Sequence, residues 1–282
     1  MGISRAQALD CFTSDDLIGI GMEADAVRRR LHPEGVVSYG IEREIACAGR
    51  EFEEILGDVR DAEEFGATGI VLRGAGQDLQ WLERLLVGVK QRFPEMWVQG
   101  LTARELARLG LDALARLHDA GLDSIGGETE VPDEDWVRAQ RAAHEAGMRT
   151  TARVVFGAGE SFEDRLAGLE AVRRLQEETG GFAALAPVSF HQAGGRELDE
   201  TTAVEYLKTL AVGRMYVDNI ENVQSDWTTQ GVKVLQMGLR FGANDVGSVG
   251  LAASEEELRR VIRDAGFRPA QRDCGFRAMM LS

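Results

Sequence analysis

Short apolar runs alternate with amphipathic helical stretches along most of this chain, and that alternation leaves few folds open. The runs are Val36–Ile41, Gly69–Arg73, Met96–Gln99, Leu122–Ile125, Arg149–Phe156, Phe182–Val188, Glu221–Ser225 and Arg240–Ala243. The helical stretches that follow them are 51–65, 79–93, 103–120, 133–146, 162–178, 202–217, 229–239 and 255–265. Parallel strands need a crossover of a dozen or more residues, which a helix supplies. Eight such units in one direction predict an α/β chain closed as a (β/α)8 barrel. Glycine after a helix, at Gly66, Gly121 and Gly147, fits the left-handed stop before the next strand. Two helices precede the barrel, one starting near Ser4 and one over 15–31, with Ser14 as its expected cap and Arg28, Arg29 and Arg30 in its last turn. Base at the end of a helix suits its dipole. The predicted organisation is a single barrel domain over 1–282, with N-terminal helices in 1–34, the barrel in 35–270 and a tail in 271–282.

The chain has 282 residues and a formal net charge of −15. An acidic balance of this size argues against nucleic acid, which needs a basic surface. It also disfavours an anionic membrane, and no apolar run is long enough to span one. The polar start does not resemble a signal peptide. The three cysteines, Cys11, Cys47 and Cys274, are far apart and suggest neither a disulfide framework nor metal spacing. A cytoplasmic location is expected.

In a (β/α)8 barrel the working residues sit at the C-terminal strand ends and in the loops that follow. Glu128, His191 and Asp245 are the candidate acid–base groups there. Gly126 and Gly127 would let a small molecule approach backbone. Arg153 shares a strand face with Thr151 and is a candidate anion ligand if that face is the interior; otherwise it meets helix or solvent. Gln224, Trp227, Gln230 and Asn244 lie near the last two strand ends and are candidate ligand contacts. Each has a plainer reading: a loop histidine in solvent, a packing tryptophan, an Asn-Asp turn. His118 and His144 are expected on helix surfaces. No catalytic triad emerges.

Longer strings carry more than spacing does. They include ISRAQALD, SDDLIGIG, VRRRLHPEGVVSY, HDAGLDSI, AHEAGMRTTARVVFG, LQEETGGFAAL and VIRDAGFRPAQRD. The longest is TAVEYLKTLAVGRMYVDNIENVQSDWTTQGVKVLQMGLRFGANDVGS. In this order, over nearly the whole chain, they resemble the dehypoxanthine futalosine cyclases, radical SAM enzymes of menaquinone biosynthesis. The resemblance implies a (β/α)8 barrel and a [4Fe-4S] cluster on a C-x3-C-x2-C loop after the first strand. It also implies S-adenosylmethionine on the open iron and radical closure of a spiro ring in a nucleoside.

The departures from the family pattern lie on one face. Where the family has three cysteines this chain has only Cys47, a remnant of the motif, and it enters a helix directly. The glycine-rich SAM loop is reduced to Gly126, Gly127 and Glu128. The family's Phe-Gly-His reads Phe156-Gly157-Ala158, and the loop after the last barrel strand is cut to 249–253. A cluster held by three thiolates is not expected from this donor set, and neither cluster nor S-adenosylmethionine is expected as a cofactor. The leading expectation is a cluster-less homologue that binds a nucleoside-like metabolite or a partner, such as a cysteine-complete cyclase paralogue or a second copy of itself. The alternatives are non-radical acid–base chemistry on a futalosine-like nucleoside and, last, ordinary cyclase activity.

Overall fold

Two short helices open the chain, and each is fixed by its first residue. In α1 (Arg5–Thr13) the Ser4 hydroxyl accepts from the Gln7 amide, and the Gln7 side chain answers to the Ser4 amide. In α2 (Leu17–Leu31) the cap is Asp16, which accepts from the Gly19 amide. Ser14, the expected cap, instead accepts from the Asp16 amide two residues on. This computed structural model describes residues 2–76, 78–190, 201–249 and 254–277, and the backbone of 279–280.

The barrel strands are β1 (Val36–Ala46), β2 (Gly69–Arg73), β3 (Trp97–Thr102), β4 (Ser124–Gly126), β5 (Glu128–Thr129), β6 (Thr150–Phe156), β7 (Phe182–Ser189), β8 (Asn222–Val223) and β9 (Asp245–Val249). All their pairings are parallel. Strands β4 and β5 are consecutive, parted at Gly127, where a Cβ would come within 2.0 Å of the Thr151 carbonyl oxygen. Only glycine permits that approach. A bridge between Gln224 and Asp245 carries the circuit from β8 to β9, and β9 pairs with β1. The ring therefore closes as the expected (β/α)8 barrel.

Three expectations are corrected. The last barrel strand is 245–249, not 240–243; Gly242, at φ 99°, and its neighbours turn the chain after a short helix, α10 (Gly231–Gly238). The helical stretch 103–120 is two helices, α5 (Ala103–Leu109) and α6 (Ala113–Ala120), because Gly110 at φ 93° ends the first. Strand β1 runs on to Ala46, so 42–46 is strand where a loop was expected.

The remaining helices are α3 (Phe52–Glu64), α4 (Leu79–Arg92), α7 (Glu134–Glu145), α8 (Phe162–Thr179), α9 (Ala203–Tyr216) and α11 (Glu255–Asp264). The core lies between this helical layer and the outer strand faces, with Ile55, Leu56, Ile70, Leu82 and Leu185 fully buried. Helix α9 is buried from Tyr206 to Tyr216 except Lys208, because α1 and α2 pack over it. The Lys208 ammonium donates to the Phe12 and Ser14 carbonyls, tying the N-terminal helices down.

After α11, β10 (Arg268–Arg272) lies parallel to the first residues of β1, and β11 (Met279–Met280) pairs antiparallel to β10. Residues 271–272, given to a tail by the sequence reading, belong to this strand. Cys274 is buried, with its sulfur 3.6 Å from the Thr68 hydroxyl.

Candidate functional site: the barrel mouth

Strand alternation decides which side chains look into the barrel. On β6, Thr150 turns outward and donates to Gln140 of α7. Thr151, Arg153 and Val155 therefore point inward, and all three are half-buried rather than packed. Their partners across the β6–β7 ladder are Ala184, Ala186 and Val188, so two alanines leave room beside them. Glu128 stands in register with Arg153, and their charged ends lie 3.6 Å apart. On β1, Tyr39 turns outward to Glu255 and Arg259 of α11. Glu42 and Glu44 share the other face. Glu44 is in register with Val71 and Gln99 and pairs with Arg73.

These two pairs frame an open, polar mouth: side-chain exposure is 65% for Glu44, 49% for Arg73, 55% for Glu128 and 36% for Arg153. Between the ends of β2, β3 and β4 lies a cleft of about 310 Å³. Arg73, Gln99, Thr102, Arg104, Arg108 and Gly126 are among its lining residues. Of the expected site residues, Gly126, Glu128 and Arg153 fall in this region. Gly127 is a packing glycine between β4/β5 and β6.

The others go elsewhere. Asp245 has no exposed surface and is the first residue of β9. It accepts from the Ser38 hydroxyl at 2.6 Å and the Arg272 Nε at 2.6 Å. Ser38 precedes Glu44 by six positions on β1, about 20 Å along a strand. Asp245 thus belongs to the barrel floor. Its neighbour Asn244 accepts from Arg214 at 2.6 Å and from the Val223 amide, and donates to Asn222. Gln224, in register with Asp245, is nearly buried. Trp227 is 5% exposed and part of the core. Gln230 donates to the Ser189 hydroxyl at 2.9 Å. His191 and residues 250–253 lie outside the described residues.

Among the buried arginines that went unnoticed in the sequence are Arg214 and Arg272. Among the described residues Arg214 is met only by neutral acceptors, the Gly242, Ile220 and Glu221 carbonyls and Asn244, and burial pulls its pKa down to about 9. Burial works against the charge of Arg272 too, but Asp245 and Glu42 outweigh it and hold its pKa above the usual value. His144, expected on a surface, is buried, with Thr179 and Thr150 at its two ring nitrogens. Its helix turns that face onto Phe182. Glu44, Arg73, Arg104 and Arg108 were also missed; a longer first strand was the signal that would have brought Glu44 inside.

The first-strand loop tests the family's cofactor. Residues 47–51 join β1 to α3 directly. The Cys47 amide donates to the Arg73 carbonyl, and Arg50 bridges the Ala46 carbonyl to Asp58. Cys47 is 2% exposed with its sulfur toward the Ile45 carbonyl, and burial pushes its thiol up to about 11. A cluster ligand must be a thiolate, which burial of this kind disfavours. Cys274 lies under β2 and Cys11 on α1. Among the described residues no group of three His, Cys, Asp or Glu side chains is placed to hold a metal. The donors present do not fit a three-thiolate cluster.

Comparison with known proteins gives a consistent setting. A family model described as the CofH/MqnC C-terminal region matches residues 179–281. A cyclic dehypoxanthine futalosine synthase of Halalkalibacterium halodurans is 28% identical over 97% of this chain and 90% of its own length. A 5-amino-6-(D-ribitylamino)uracil–L-tyrosine 4-hydroxyphenyl transferase of Methanothermobacter thermautotrophicus is 32% identical over 80% of this chain and 74% of its own. Among solved structures, the FeFe-hydrogenase maturase HydG of Carboxydothermus hydrogenoformans superposes with a TM-score of 0.77. It covers 95% of this chain and 76% of its own at 15% identity, a likeness of fold. No described helix is long and apolar enough to cross a membrane.

Proposed function

Because the chain belongs to the CofH/MqnC family of radical SAM proteins, we propose that it is a cluster-less member, a pseudoenzyme with respect to radical chemistry. On this reading it holds a nucleoside-like metabolite of the futalosine route to menaquinone at the open barrel mouth, in the cytoplasm. The observation that carries the proposal is the first-strand connection: one thiol, buried in the hydrophobic core, where the family uses three. A protein that keeps the barrel and an open polar mouth without those donors retains the means to bind, not to start a radical.

Anaerobic reconstitution with iron and sulfide tests it. The expected outcome is no stoichiometric cluster absorption; a stable, stoichiometric cluster would overturn the reading. Thermal shift with dehypoxanthine futalosine tests the ligand, alongside 5-amino-6-(D-ribitylamino)uracil and L-tyrosine, the compounds the second relative's name prints. Stabilisation by the futalosine alone is expected. If no metabolite binds, co-purification with a cysteine-complete paralogue decides whether the mouth serves a protein partner.

A second reading is favoured by the Glu128–Arg153 pair, in register inside the lumen and open to solvent. A carboxylate so placed can take a proton from a bound nucleoside, with Arg153 steadying developing negative charge. Turnover without reductant that is lost in Glu128→Gln would favour this reading.

A further inference from the structure

The cleft at the ends of β2, β3 and β4 is lined by three arginines against one carboxylate, Glu105, on a chain whose net charge is −15. Arg104 and Arg108 stand one helical turn apart on α5 and both line it. Side chains four apart share a helix face, and like charges there repel. Neither arginine has an ion-pair or hydrogen-bond partner among the described residues. Glu105, between them, also lines the cleft, but its carboxylate is engaged at the start of α5, where it accepts from the Thr102 amide and hydroxyl. Arg73 reaches the same cleft from β2, and its partner Glu44 is itself largely exposed. Leu101 and Val71 add an apolar wall.

A guanidinium presents planar donors that match the two oxygens of a carboxylate or phosphate. About 310 Å³ is at the small end of ligand pockets. We propose that this cleft binds a small organic oxyanion, the carboxylate or phosphate group of a metabolite, through Arg73, Arg104 and Arg108. The inference rests on the reading of the mouth as a ligand site and adds the charge of what it takes. The site is half open to water, so binding weakens as salt rises.

The test uses the whole chain and two probes at constant ionic strength, benzoate and inorganic phosphate, with chloride as the reference. Titration followed by melting temperature should saturate with at least one probe; benzoate alone identifies a carboxylate, phosphate alone a phosphoryl group. An R104Q/R108Q variant should keep the far-UV spectrum and melting temperature of the parent while losing at least about tenfold in affinity. Arg84→Gln, in the groove between α3 and α4, should bind as the parent does. No saturable shift in the parent, or an equal shift in the double variant, overturns the inference. Dehypoxanthine futalosine separates the two proposals. If it binds parent and double variant equally, the oxyanion site falls and the proposed ligand stands. If the anions bind and it does not, the proposed ligand falls alone.

Discussion

At the barrel floor Asp245 has no exposed surface and Arg272 is 2% exposed; at the mouth Glu44, Arg73 and Glu128 are each about half exposed. Both places hold acid–base pairs carried by strands: β9 and β10 at the floor, β1 with β2 and β5 with β6 at the mouth. The floor pair is saturated: Asp245 meets Ser38, Arg272 and the Gly247 amide, and Arg272 also has Glu42 at 3.8 Å and the Phe276 ring at 3.8 Å. Gly40 makes room, since a Cβ there would lie 2.8 Å from the arginine. The mouth pairs keep water and free valences. In water such a pair adds little stability, whereas a dry pair makes each partner depend on the other. Burial and register, not residue type, separate a carboxylate that holds the barrel from one that can meet a ligand.

That contrast can be broken in order of size. Arg272→Met leaves Asp245 buried with no cation, and should lower the unfolding free energy in urea by about 3–5 kcal/mol; a loss below about 1 kcal/mol would place the floor pair with the mouth. The wall between floor and helices gives the next effect. Burial, helped by Arg141, lowers the His144 pKa to about 4, so the ring is neutral in the fold. An unfolded histidine titrates near 6.5. The stabilising contribution of neutral His144 is thus complete above about 6.5 and lost as pH falls from there towards 4, by up to about 3 kcal/mol. Urea unfolding across that window should show the slope in the parent and not in His144→Gln. Smallest of all, Arg153→Gln at the mouth should change stability by less than about 1 kcal/mol. A larger loss would move this pair into the structural class and remove the motive for a second catalytic reading.

The sequence carried the barrel well and the inside of the barrel poorly, for one reason. Apolar periodicity reports which residues face the helices, so every helical layer except the break at Gly110 could be read. Inward positions at the mouth are polar, and polarity at a strand end looks like a loop. Glu42 and Glu44 were therefore placed outside β1, and with them went half of the mouth. The same blindness shifted the last strand: the apolar residues of 240–243 suggested a strand, while Asp245, whose partner lies 27 residues on at Arg272, suggested a loop. Gly126, Glu128 and Arg153 could be named as candidates because they lie on or just after strands already recognised; that Glu128 and Arg153 stand in register needed the fold. The thiol shortage was legible by counting; that Cys47 is also turned away from solvent needed the fold.

Strand β1 also bears on how the chain reaches its fold. Its first residues are flanked by β9 and β10, and its last by β2. The contact from Ser38 to Asp245 spans 207 residues. Pairings so remote in sequence form late and slowly, because the chain entropy of closing them must be met before they give anything back. A ribosome would release β1 some 207 residues before the strand that seals it, and until then Ser38, Glu42 and the inner edge of β1 face water. The seam is where a nascent chain is most open to chaperones or to pairing with a neighbour's edge, so mistakes in assembly should gather there rather than at the mouth.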